Sequence, residues 1–120
     1  MQQEEFQYYL QRLEEENSFF ALIEAGAEIL PLLEAQFSIE SSPQRRRIIT
    51  RIIWEYRAPS SLAFLASVLY DPDESVWQEA LNGIITIGGE AAVAVLRAEL
   101  PTSSLYKNEY IVEALGLLNG

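Results

Sequence analysis

The amino-acid sequence predicts an all-α protein, a right-handed α-solenoid of about three helix pairs with one additional helix at each end. Two observations predict this fold. Apolar side chains recur at helical spacing in every long segment. The same apolar stripe also returns at a fixed offset, because Ile49, Ala80 and Ile111 lie 31 residues apart and three further stripe positions follow with the same offset. A helix pair repeated in this way stacks on its neighbours to bury a continuous core.

The clearest repeat unit spans residues 71–100. Its first helix is expected to begin at the cap Asp71, with Pro72 in the first helical position. Gly88 is expected to end that helix, since glycine adopts the left-handed conformation at little cost. The second helix follows at once and stops before Pro101, which cannot continue a helix.

The preceding elements are predicted from the same kinds of signal. A helix over residues 2–16 has one apolar stripe, as a terminal cap of a repeat array requires. Asn17-Ser18 is expected to cap the next helix, which ends at Gly26. Its partner runs over residues 27–37, with Pro31 either in the first turns or at a kink.

The central and last elements complete a single domain. Ser42-Pro43 starts a helix that Ala58-Pro59 ends, and its partner follows to residue 69. A last helix carries the apolar stripe a third time without a partner helix. The predicted organisation is a cap helix over 1–16, repeat pairs over 17–38, 42–70 and 71–100, and a C-terminal half repeat over 104–119.

The segment DPDESVWQEALNGIITIGGEAAVAVLRAEL, residues 71–100, resembles HEAT-like repeats of the phycobilin-lyase type. GAEILPLLEAQF, residues 26–37, matches the second-helix half of that pattern, and EALGLLNG, residues 113–120, resembles its Ala-Leu-Gly part. The middle repeat departs from it, with three arginines and Trp54 where small residues are usual. The resemblance covers about the last hundred residues and implies a HEAT-like architecture. Such arrays serve as scaffolds, inhibitors, chromophore-lyase subunits and DNA-repair enzymes, so the resemblance selects no single function.

Composition and charge limit the function classes. The 120 residues include no cysteine and no histidine, which excludes disulfides, thiolate zinc sites and Ser-His-Asp triads. The formal net charge of −10 disfavours nucleic acid and anionic membranes as ligands, and it favours fast association with a basic partner. With neither a secretory signal pattern nor a long apolar run, we expect a cytoplasmic, non-enzymatic protein without a cofactor.

A basic cluster stands out in this acidic chain, since five of the eight basic residues fall within residues 45–57. These residues are Arg45, Arg46, Arg47, Arg51 and Arg57. Solvated charge runs usually bind no ligand, so the favoured interpretation is ion pairing with acidic residues of neighbouring helices. The alternative is a binding patch for an anion or an acidic partner, with arginine as a bidentate donor.

Trp77 and the second helices supply the other candidate partner-binding residues. Trp77 aligns with Arg46, an outward position, which makes it the best candidate for an exposed anchor; packing over a neighbouring repeat is the open alternative. Second helices line the inner surface of a HEAT-like array, and the resemblance therefore places Glu34, Glu90 and Arg97 there. A plain solvated face is the alternative for each of them.

We therefore expect a protein–protein interaction module, a small acidic inhibitor or adaptor such as an immunity-type protein that neutralises a basic toxin. The alternative implied by the resemblance is a tetrapyrrole-handling protein, either a phycobilin lyase subunit or a chromophore chaperone, with Glu34 or Glu90 as a proton donor. A third possibility is a structural part of a larger assembly. A homodimer through the C-terminal end also remains open, because an unpaired last helix has apolar surface to cover.

Overall fold

A computed structural model describes residues 1–119, and over that range the chain is all-helical. The α-helices are α1 Gln3–Leu10, α2 Glu16–Glu24, α3 Leu30–Ile39, α4 Pro43–Glu55, α5 Leu62–Val68, α6 Glu74–Ile87, α7 Gly89–Glu99 and α8 Leu105–Asn119. Short 3₁₀ helices, Ala27–Ile29 and Pro59–Ser61, lead directly into α3 and α5. The predicted all-α class is confirmed. Gly120, the last residue of the EALGLLNG segment, lies outside the described residues.

The helices pack in two layers. In one layer α2, α4, α6 and α8 follow one another, and each contacts the next. In the other layer α5 packs on α7, and α3 meets α5 where the rings of Phe37 and Phe64 lie edge to face with centroids 5.3 Å apart. α1 packs on α2 at one end of an elongated molecule that measures 42 × 26 × 21 Å.

The repeated apolar stripe forms the core. Ile49, Ala80 and Ile111, which lie 31 residues apart, are all fully buried. One group of buried side chains surrounds Ile49 and a second surrounds Ala80 and Ile111, while Phe37 and Phe64 pack against both groups. The core therefore runs continuously along the molecule between the two layers.

The most extensive contact between helices joins α4 to α6. A Cβ atom at Gly83 would lie only 2.6 Å from the Cβ of Trp54, so a glycine is required for this approach. Gly83 occupies the stripe position that aligns with Ile52 and Ala114. The indole Nε1 of Trp54 also donates a 2.8 Å hydrogen bond to the buried carboxylate of Glu79. Steric fit and a buried polar bond thus hold α4 and α6 in one arrangement.

The helix predicted over residues 1–16 is shorter than expected, because α1 ends at Leu10. The chain turns over residues 11–15 through two 3₁₀-type hydrogen bonds of 3.0 Å, and this turn buries Leu13. Three successive glutamates would be unfavourable at a helix C-terminus. In the observed structure Glu16 instead lies in the first turn of α2, where a negative charge is favourable.

The cap predicted at Asn17-Ser18 is also wrong. α2 begins at Glu16, and Glu15 occupies the cap position without a side-chain hydrogen bond. Ser18 is buried within the helix. The early start follows from the turn after α1, which brings the chain back onto the core before residue 17.

The cap of α6 is Asp73 rather than the predicted Asp71. The Asp73 carboxylate accepts a 2.9 Å hydrogen bond from the backbone N–H two residues further on, and α6 begins at Glu74. Asp71 accepts a 2.9 Å hydrogen bond from the Asp73 N–H and forms an ion pair with Arg46. The prediction was wrong because this ion pair holds Asp71 against α4, leaving Pro72 in the turn outside the helix.

Several other predicted helix termini are confirmed, although α4 ends at Glu55, before the predicted break at Ala58-Pro59. Ser42 caps α4 by accepting a 3.3 Å hydrogen bond from a backbone N–H in the first turn. Gly26 and Gly88 follow α2 and α6 with positive φ angles of 108° and 67°. Pro31 lies in the first turn of α3, where proline is tolerated, so the alternative of a kink is not observed.

We expect Gly83→Ala to destabilise the protein by about 1–3 kcal/mol, because the steric cost against Trp54 exceeds the gain of about 1 kcal/mol in helix propensity. Equilibrium urea unfolding followed by far-UV circular dichroism measures the change. Gly116→Ala is the matched control, since a Cβ at that position of α8 meets nothing within 4 Å. This control should stabilise the protein by up to about 1 kcal/mol. A Gly83→Ala protein as stable as the control would show that the contact is not tight.

Candidate functional site

Arg45 joins the start of α4 to the turn after α1. Its Nε donates to Glu40 at 3.0 Å, and its Nη1 donates to both carboxylate oxygens of Glu14 at 3.0 and 3.2 Å. Its Nη2 donates to the Leu10 carbonyl at 2.7 Å. This carbonyl is at the C-terminus of α1, where a helix leaves acceptors without an internal partner. Arg45 therefore stabilises both the end of α1 and the turn that follows it.

Arg46 joins the loops that precede α4 and α6. It holds Asp71 through two bonds, Nε–Oδ2 at 2.9 Å and Nη2–Oδ1 at 3.2 Å, and its Nη1 donates to the carbonyls of Glu40 and Ser41. The Asp71 side chain is only 6% exposed. The hydrogen bond to Asp71 raises the pKa of Arg46 above its ordinary value. Both side chains of the pair are therefore largely shielded from water.

Arg47 and Arg51 lie further along α4 and are more exposed. Arg47 Nε donates to Glu79 at 3.3 Å, which adds a second partner to the buried carboxylate that Trp54 holds. Arg51 Nε donates to Glu55 at 2.9 Å, and its guanidinium lies 4.9 Å from the centre of the Trp54 ring. The two side chains remain 57% and 43% exposed.

The basic cluster is thus mostly engaged within the molecule. Three of its five arginines, Arg45, Arg46 and Arg47, form ion pairs with carboxylates outside α4, as the favoured interpretation predicts, whereas Arg51 pairs with Glu55 of α4 itself. Arg45 and Arg46 each use all three guanidinium nitrogens in bonds within the molecule, which holds both side chains in place. Arg57, just after α4, is exposed with a positive φ of 52°. An external ligand of the cluster would therefore reach Arg47, Arg51 and Arg57 before Arg45 and Arg46.

Trp77 is buried, so the prediction of an exposed anchor is wrong. Its side chain is 5% exposed, and α8 covers it: the rings of Tyr106 and Tyr110 lie edge to face at 6.4 and 5.5 Å. The Lys107 ammonium lies 5.0 Å from the indole ring and donates to the Leu69 carbonyl at 2.7 Å. Burying a large indole against two rings and a cation removes apolar area from water, which explains why the alternative of packing over a neighbouring helix prevails.

The three candidates on the second helices do not form one site. Glu34 lies half-buried on α3, whereas Glu90 and Arg97 lie exposed on α7. Glu90 and Arg97 line a shallow hollow of about 560 Å³ together with Leu118 of α8. Glu34 does not line this hollow, so the structure brings together only two of the three.

A surface at the start of α2 was not predicted from the sequence. Phe19 and Phe20 are adjacent, and since neighbouring helical residues point in different directions, both cannot face the core. Phe19 is half-buried, whereas Phe20 is 49% exposed. Both border a hollow of about 370 Å³ that we call the Phe20 hollow. Its lining residues are Leu13, Glu14, Glu15, Glu16, Phe19, Phe20 and Ile48. The Phe-Phe pair beside three glutamates was the sequence signal for this surface.

Two further surfaces expose apolar side chains. Leu32 and Ile39 border a hollow of about 640 Å³ between α1 and α3, whose polar lining is mostly glutamine and serine. Leu105, Val112 and Leu117 are exposed along the outer face of α8. These surfaces lie on α1 with α3 and on α8, at opposite ends of the succession of helices.

Neither a metal site nor a membrane-spanning helix is found among residues 1–119. No three His, Cys, Asp or Glu side chains in residues 1–119 are grouped so that they could hold a metal ion. Within the same range, no helix has the length and apolar character needed to span a bilayer. Comparison with protein-family models, curated proteins and solved structures finds no match. The side chains on the surface are therefore the basis for inferring a function.

We expect Arg46→Ala to lower the free energy of unfolding by about 3 kcal/mol, because it leaves the Asp71 carboxylate buried without its partner. Urea unfolding at pH 7 measures the loss. Arg97→Ala is the control, since this exposed side chain on α7 has no ion pair among the described residues. Equal stability of the two variants would show that the Arg46–Asp71 pair does not hold the loops.

The stability of the fold should depend on the ionisation of Glu40. Burial tends to raise the pKa of Glu40, but hydrogen bonds from Arg45, the Ser42 N–H and Gln36 outweigh burial and lower it. A carboxyl group with a lowered folded pKa stabilises the fold above its unfolded pKa, near 4.5, and that contribution is lost as the pH falls through the folded pKa.

We therefore expect Glu40→Gln to be less stable than the wild type at pH 7, with the difference narrowing as the pH falls from about 5 to 3. Urea midpoints measured across this range test the expectation. Glu113→Gln, which removes an exposed charge from α8, is the control for charge removal. If the stability difference between Glu40→Gln and the wild type stays constant between pH 7 and pH 3, the role assigned to this carboxylate is contradicted.

Proposed function

We propose that this chain is a non-catalytic, HEAT-like α-solenoid that binds a basic protein and acts as a small acidic inhibitor or adaptor. One observation carries the proposal: the positive charge of the molecule is used in internal contacts, whereas most of its negative charge stays on the surface. A protein of this kind presents an acidic exterior on a rigid helical frame. An immunity-type inhibitor of a basic toxin is one concrete form.

The basic side chains support this proposal. Of the eight, four form the ion pairs of α4. Arg12 donates to the Tyr8 carbonyl at 3.0 Å and lies 3.9 Å from the centre of that ring. Lys107 donates to the Leu69 carbonyl. Six of the eight cations are thus engaged with groups of the same chain.

The acidic side chains behave differently. The chain has 18 aspartates and glutamates, and six of them form ion pairs among the described residues: Glu14, Glu28, Glu40, Glu55, Asp71 and Glu79. Twelve of the 18 remain without such a pair in this part of the chain. A field of this sign attracts a positively charged partner and accelerates its association, most strongly at low ionic strength.

The solenoid part of the proposal is supported by the packing. In this interpretation α2–α3, α4–α5 and α6–α7 are the repeat pairs, and α1 and α8 are the ends. The first helices follow one another in one layer and the second helices in the other, as in a stack of helix pairs. The 31-residue stripe is buried in each copy at Ile49, Ala80 and Ile111.

We expect a basic protein to be captured when the tagged, purified chain is incubated with its native lysate and eluted with a salt gradient. Release at moderate salt is expected, because screening weakens contacts between exposed charges. The association rate of the captured protein should then fall by about tenfold or more between roughly 50 and 500 mM salt. Stopped-flow mixing or surface plasmon resonance measures that rate.

Two results would contradict this proposal. A partner with an acidic surface, or a partner whose binding does not depend on salt, would overturn the electrostatic mechanism. A coloured eluate would instead favour the tetrapyrrole-handling alternative. A tag-only column is the control for proteins that bind the matrix.

A further inference from the structure

The Phe20 hollow combines an apolar floor with an acidic rim. Leu13 is fully buried beneath it, and the half-buried Phe19 and Ile48 form its walls. Phe20 lies at its edge, half exposed, with its ring 5.5 Å from that of Phe19 in an edge-to-face arrangement. An exposed aromatic ring beside half-buried apolar side chains is typical of a surface that packs against an apolar side chain of a partner.

The negative charge of the Phe20 hollow lies on its rim. Glu14, Glu15 and Glu16 are all exposed around the hollow. Glu14 is held by Arg45 at 3.0 Å, whereas Glu15 and Glu16 have no side-chain ion pair or hydrogen bond among the described residues. A basic side chain on a partner could therefore reach two carboxylates that need not give up an internal contact.

The hollow is held in shape by bonds that involve its own residues. Arg45 ties Glu14 and the Leu10 carbonyl to α4, which fixes the turn that supplies the rim. On the far side, Phe19 and Ile48 also border a second hollow of about 260 Å³ that Arg47 and Arg51 line. The surface thus has an acidic side and a basic side, and this polarity would set the direction in which a partner segment lies.

We propose that the Phe20 hollow is the docking site for a basic, amphipathic segment of the partner protein. This inference rests on the proposed function and adds the site and the kind of segment. A large apolar side chain of the segment packs against Phe19, Phe20 and Ile48, and flanking lysine or arginine side chains lie against Glu15 and Glu16. The apolar contact supplies affinity, and the charges supply steering and orientation.

The other exposed apolar surfaces fit such a partner less well. The hollow beside Leu32 and Ile39 is bordered by neutral polar side chains and has no carboxylate among the described residues that line it, so it offers no complement to a basic segment. The outer face of α8 carries Glu109 and Glu113 beside Val112 and Leu117. That face belongs to a single helix, whereas the Phe20 hollow is lined by the turn after α1, by α2 and by α4.

Two pairs of variants test the docking site. Two double variants, Glu15→Gln/Glu16→Gln at the start of α2 and Glu109→Gln/Glu113→Gln within α8, each remove two exposed charges and so change the net charge equally. Phe20→Ala and Leu117→Ala each remove an exposed apolar side chain, again at different places. All four sites are exposed, and urea unfolding confirms that each variant retains the fold.

The probe is a fluorescein-labelled synthetic peptide with lysine and leucine at helical spacing, and fluorescence anisotropy at low salt measures its dissociation constant. We expect Phe20→Ala and Glu15→Gln/Glu16→Gln each to weaken binding about tenfold, and the α8 variants less than about twofold. A peptide with serine in place of leucine should bind at least tenfold more weakly than the parent. Chemical-shift changes of ¹⁵N-labelled protein should cluster at residues 13–20 and 48.

The other outcomes contradict either the location of the docking site or the amphipathic segment as its ligand. If the peptide binds but the α8 variants weaken it as much as the hollow variants, the docking site is wrong while the acidic protein-binding function stands. If shifts cluster elsewhere, the site is likewise wrong. If the wild-type protein does not bind the peptide, the amphipathic-segment proposal is overturned. In that case the salt-gradient capture from lysate still decides the proposed function separately.

Discussion

The structure depends on the contact between α4 and α6. Gly83 lets the two helices approach until Trp54 lies against the backbone of α6, and the indole then donates to Glu79. A carboxylate in this position is costly to bury unless its oxygens are bonded. Trp54 and Arg47 supply those bonds from α4. Gly83, the Trp54 indole and the Arg47–Glu79 ion pair therefore set the spacing between α4 and α6.

Three consecutive arginines extend this contact along the chain. Successive helical residues point about 100° apart, so Arg45, Arg46 and Arg47 reach three different segments from one turn of α4. Arg45 reaches the turn after α1, Arg46 the loop before α6, and Arg47 the helix α6 itself. The basic cluster is in this sense a connector between neighbouring helices. Because it is engaged internally, the surface that remains is dominated by carboxylates.

This distribution of charge leaves the basic cluster and Trp77 less available to a partner than the sequence alone indicates. The basic cluster and Trp77 are both occupied, one by carboxylates and the other by Tyr106, Tyr110 and Lys107 of α8. The turn after α1 and the start of α2 instead expose Phe20 beside three glutamates. Arg45 links the two regions, since the arginine that neutralises Glu14 also fixes the turn. The side chain that stabilises this turn thus also holds Glu14, which borders the proposed docking site.

The sequence by itself determined the helical class, the buried stripe and several helix ends. These features depend on neighbours within a few residues or on a simple period: Ile49, Ala80 and Ile111 face inward, Ser42 caps α4, and Gly88 ends α6. Only the tertiary structure decided which arginine meets which carboxylate and which aromatic ring stays exposed. Those outcomes depend on the distance and rotation between helices, which periodicity does not specify. The residues that meet are far apart in the sequence: Arg46 and Asp71 are separated by 25 positions, and Arg45 and Leu10 by 35.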